Sequence, residues 1–165
     1  MSAIVLLDDR LLIEELLVGL NRPEPIATTS YWYYRACRAA VAGAGGHLSG
    51  PFTQLGVTEQ QRAVASLLEL RDDIALPDSR TTVPTMVDIA TRHPKLNLLN
   101  LEATAAAREL NAVVLLSPAA SSGILPSVLD AEEDPPRGHV WASVSNRVYS
   151  LMNASFTVPV GPLRC

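Results

Sequence analysis

The chain has 165 residues, 48% of them hydrophobic, and a net charge of −4. That is enough apolar material for one soluble domain with a full core, and no run approaches the ~20 consecutive apolar residues of a membrane helix. Twelve arginines and the single Lys95 do not outweigh the acids, which argues against strong nonspecific attraction to a phosphate backbone.

The start, Met1-Ser-Ala-Ile-Val-Leu-Leu-Asp, lacks the basic opening of a signal peptide, so cytoplasmic residence is expected. Cys37 and Cys165 give neither a disulfide framework nor zinc spacing. The run Ala3–Leu7 closed by Asp8-Asp9 predicts an interior parallel strand feeding a helix, with Asp9 as its N-cap. That helix carries Leu11, Leu12, Leu16, Leu17 and Leu20 on one face and ends at Asn21-Arg22-Pro23.

Thr28-Thr-Ser30 caps a second expected helix through Val41, stopped by the Gly43–Gly46 cluster. Thr58-Glu-Gln-Gln61 has the form of a capping box and predicts a helix over 59–71. Pro84 fits a first-turn proline in a short helix that ends before Pro94. A helix over 100–110, a left-handed stop at Asn111 and a strand over 112–116 form the clearest α/β unit. A further helix over 124–131 and a last strand over 140–144 complete the pattern.

Strands separated by helices predict an α/β domain over 1–144 in three layers, with a mostly parallel β-sheet flanked by helices. Residues 145–165 lack periodicity and read as a C-terminal tail or as an arm that docks on a neighbouring subunit.

Two segments, Ile4-Val-Leu-Leu-Asp-Asp-Arg-Leu-Leu-Ile13 and Asn100 through Leu116, resemble the PIN-domain family, the small α/β nucleases that include the VapC-type toxin ribonucleases. The resemblance covers about half of the chain. It implies bacterial toxin–antitoxin company and three or four carboxylates holding Mg²⁺ or Mn²⁺ at the carboxyl ends of the strands, with Asp8 as the first ligand. Hard divalent cations need that anionic charge to offset dehydration. The chain departs from the pattern, because Asn100 stands where a family aspartate would coordinate and Ser117-Pro-Ala-Ala120 supplies no acid. Arg35 occupies the segment where the family has a glutamate, and a guanidinium there would repel a cation.

Asp9 and Glu102 are the acids able to substitute. However, residues two apart on a helix point about 200° apart, so Asn100 and Glu102 do not aim at one ion. Glu102 then reads as an acid favoured near a helix N-terminus. Tyr31-Trp-Tyr-Tyr34 cannot all face one core, so core packing with a homodimer contact comes first, a ligand pocket second and base stacking third. His47, His93 and His139 are scattered, without zinc spacing.

Three readings follow. The first is a PIN-like protein with an incomplete acidic site, expected to need no cofactor and to bind or assemble, as a homodimer. The second is a Mg²⁺- or Mn²⁺-dependent ribonuclease using Asp8 with nonstandard partners. The third is a small-molecule or nucleotide-binding domain using Tyr34, Arg35, Asn100 and Ser117.

Overall fold

The computed structural model describes residues 3–42, 48, 50–53, 55–132 and 141–143. The sequence-predicted tail over 145–165, the glycine cluster at 43–46, His47, His139 and Cys165 lie outside them. The element order is β1 (Val5–Leu7), α1 (Asp9–Leu17), β2 (Ile26–Ala27), α2 (Ser30–Ala42), α3 (Gly50–Thr53), α4 (Val57–Leu68), β3 (Ile74–Ala75) and α5 (Ser79–Arg92). It continues with α6 (Leu98–Leu110), β4 (Val113–Leu116), α7 (Pro118–Ser121), α8 (Leu125–Glu132) and β5 (Trp141–Ser143).

Four strands in the order β3-β2-β1-β4 form an all-parallel sheet, and β5 extends it beside β4. Val5 stands opposite both Ile26 and Val113, so β1 is central. Side chains alternate across a strand, and each neighbour of the sheet takes one set. Val5, Leu7 and Leu115 pack with Leu11, Leu12, Ala36 and Leu67 on one face. Leu6, Val114 and Leu116 pack with Ala103, Ala106, Leu125 and Leu129 on the other. The small buried alanines of α6 let that helix sit close to the sheet. The result is the expected three-layer α/β arrangement of a PIN-like fold.

Several local expectations are corrected. Asp8, not Asp9, caps α1: its backbone is extended (φ −70°, ψ 172°) and its side chain accepts the Leu11 N–H, while Asp9 is already helical. The first helix stops at Leu17, because Gly19 and Asn21 turn into positive φ before the proline is reached. The cap of α4 is Gly56 rather than Thr58, with Glu59 reaching back to the Gly56 N–H at 3.0 Å.

Pro84 lies inside α5, which begins earlier because Asp78 caps it by accepting the Arg80 N–H at 2.9 Å. The two-residue strands β2 and β3 carry no periodic signal and were not expected. Asn111 is left-handed (φ 48°, ψ 45°) and stops α6 where the sequence places it. Among the described residues, no helix is long and apolar enough to cross a membrane.

Candidate functional site

The chain steps from β1 outward through β2 to β3 and then returns to β1's other side as β4. In open α/β sheets the carboxyl ends of the strands at such a reversal flank the ligand crevice. Here those ends are Asp8 and Ser117.

Asp8 is fully buried and is spent on backbone. One carboxylate oxygen accepts the Leu11 N–H at 2.9 Å, and the other accepts the Ser117 N–H at 2.7 Å. Burial pushes its carboxyl above the usual aspartate range, against the opposing pull of the Ser117 hydroxyl and of the amides of Leu11, Ser117 and Arg10. The Ser117 Oγ is itself buried without a well-formed hydrogen bond.

Beside this clasp lies a cavity of about 210 Å³. Trp32, Leu99, Ile124 and Leu125 supply apolar wall, and Asp9, Arg35 and Asn100 supply the polar lining. The Arg35 Nε sits 2.9 Å from Asp9 Oδ2, and the other Asp9 oxygen accepts the Arg10 N–H at 2.9 Å. The Asp9 side chain is almost enclosed while that of Arg35 is 40% exposed, so the ion pair joins a buried carboxylate to a partly exposed guanidinium. The Arg35 Nη atoms and the Asn100 carboxamide make no hydrogen bond among the described residues. Asn100 is placed by the first turn of α6, whose cap Asn97 accepts the Asn100 N–H at 2.9 Å.

The remaining sequence-predicted site residues go elsewhere. Glu102 turns away from Asn100 and accepts the Ser30 and Tyr31 N–H groups at 3.1 and 2.8 Å, capping α2 across the chain. Tyr34 is 57% exposed and meets Tyr31 edge-on at 6.4 Å, outside the cavity lining. Ser117 stands behind Asp8 and does not line the cavity. His93 is not isolated on the surface, because its Nε2 lies 2.8 Å from Glu132. Trp32, from the aromatic run for which a ligand pocket is the second reading, lines the cavity, as do Ala119 and Ala120 just after β4, which the sequence marks only as lacking an acid.

The divalent cation that the resemblance implies does not fit these residues. Asp8 is committed to two backbone amides, Asp9 is paired with a guanidinium, and Asn100 brings no charge. Among the described residues, no group of three His, Cys, Asp or Glu gathers at a point. Compared with known proteins, the chain matches no family model and no curated protein.

Proposed function

We propose that this domain is a non-catalytic binding protein on a PIN-like framework, with the crevice beside Arg35 and Asn100 as its ligand site. The supporting observation is the Asp9–Arg35 pair at 2.9 Å, which puts a fixed positive group where metal-dependent hydrolysis would need negative charge. A homodimer belongs to the same reading, since the exposed Tyr31–Tyr34 pair offers aromatic surface of the kind favoured at protein interfaces.

A second reading is a Mg²⁺- or Mn²⁺-dependent, VapC-like ribonuclease, and the adjacency of Asp8 and Asp9 at the end of β1 favours it. It needs Arg35 to release Asp9. Metal titration calorimetry followed by RNA digestion separates the two, using wild type, Asp9→Asn, Asp8→Ala and Asn100→Asp. The binding reading expects neither metal uptake nor cleavage by wild type. Tight Mg²⁺ or Mn²⁺ binding with RNA cleavage lost in Asp9→Asn overturns it.

A further inference from the structure

We infer that the crevice takes a small monoanionic carboxylate with an apolar body, held by the Arg35 fork and the Asn100 amide. The inference rests on the crevice being the ligand site, as proposed above. The Arg35 Nε lies 2.9 Å from Asp9 Oδ2 as an ion pair, which keeps the guanidinium at the crevice wall, and its Nη nitrogens make no hydrogen bond among the described residues. A planar fork matches the two oxygens of a carboxylate, and a cation already held at the wall lowers the entropy lost on binding. The Asn100 carboxamide, which also makes no hydrogen bond among the described residues, adds a donor to the same lining.

Charge decides against a phosphate. Arg35 is the only cation among the described residues lining the cavity, and Asp9 already offsets it. The pair is neutral overall, so a dianion would leave two uncompensated charges in the crevice and a monoanion only one, while either can accept the charge-assisted hydrogen bonds of the fork. Size and wall set the remainder of the ligand. A cavity of about 210 Å³ is smaller than those that hold drug-sized molecules. Its Trp32, Leu99 and Leu125 side chains favour an aryl or short alkyl group.

The test is a ¹H–¹⁵N NMR titration of the full chain with phenylacetate, hexanoate, their primary amides and inorganic phosphate. Saturable shifts at the Trp32 indole and the Asn100 side-chain amide are expected with the carboxylates. The neutral amides should bind about tenfold more weakly, the value of one charge-assisted hydrogen bond. Arg35→Gln should erase that preference while leaving the dispersion of core signals intact, and Asn100→Ala should weaken both carboxylates. Equal binding of the amides, or tighter binding of phosphate, overturns the carboxylate assignment and leaves the crevice as the site. Absence of shifts at every lining residue with every probe overturns the crevice itself.

Discussion

The Asp8 carboxylate accepts the Ser117 N–H at 2.7 Å, joining the end of the first strand to the end of the fourth while its other oxygen starts α1. The aspartate that the PIN resemblance would offer to a metal is engaged by two backbone amides.

Asp8→Ala leaves two buried amides without acceptors and removes a helix cap, so urea unfolding should show a loss of about 2–4 kcal/mol, unchanged by added Mg²⁺. Asp8→Asn keeps one acceptor and should lose less. The folded pKa of Asp8 lies above its ordinary 3.8, so the folded state binds the proton more tightly. Stability relative to Asp8→Asn should therefore fall as pH rises from about 3.8 through the elevated value. A gap that widens over that range contradicts the assignment.

Glu102 holds the first two amides of α2, so Glu102→Ala should lower stability by about 1–2 kcal/mol. Hydrogen exchange at Ser30 and Tyr31 should accelerate, with the crevice unaltered. Unchanged exchange at both amides would show that the cap contributes nothing.

The Asp9–Arg35 pair has one enclosed and one exposed partner, which screens it partly. A double-mutant cycle of Asp9→Asn and Arg35→Leu should give a coupling of about 1 kcal/mol, with Arg35→Leu the costlier single change because it strands the acid. Additive effects would mean that the pair does not orient the guanidinium.

Glu132 accepts from Arg92 Nε and Nη2 at 3.0 and 2.6 Å and faces His93 Nε2 at 2.8 Å. The Arg92 contact, aided by His93, holds its carboxyl below the usual range. The resulting stability is present above the ordinary glutamate value of 4.5 and lost as pH falls through the depressed one. The Tm advantage of wild type over Glu132→Gln should be full at neutral pH and vanish in strong acid. A constant advantage at both ends would exclude ionic stabilisation.

What the sequence reveals here tracks how local the physics is. The α6–Asn111–β4 unit is legible because the periodicity, the left-handed stop and the apolar strand all lie within one continuous segment. Strands β2 and β3 are too short for any period, and each is placed by the strand beside it, β2 by β1 and β3 by β2. Pro84 misleads because Asp78 starts the helix early enough to carry a proline in its interior. The departures from the nuclease pattern at Arg35 and Asn100 were visible. The ion pair between Asp9 and Arg35 was not, since nothing local ties those two residues together before the chain folds.

The contact between Asp8 and Ser117 spans 109 positions, and β1 has β4 as one of its two flanking strands. Strand β1 is therefore synthesised well before β4 and waits for it before its second edge is covered. Such a long loop is expensive to close, which predicts slow final consolidation and an interval in which nascent chains expose a bare hydrophobic edge. The same linkage makes the domain cooperative: a chain cut before residue 113 has no means of finishing its own centre.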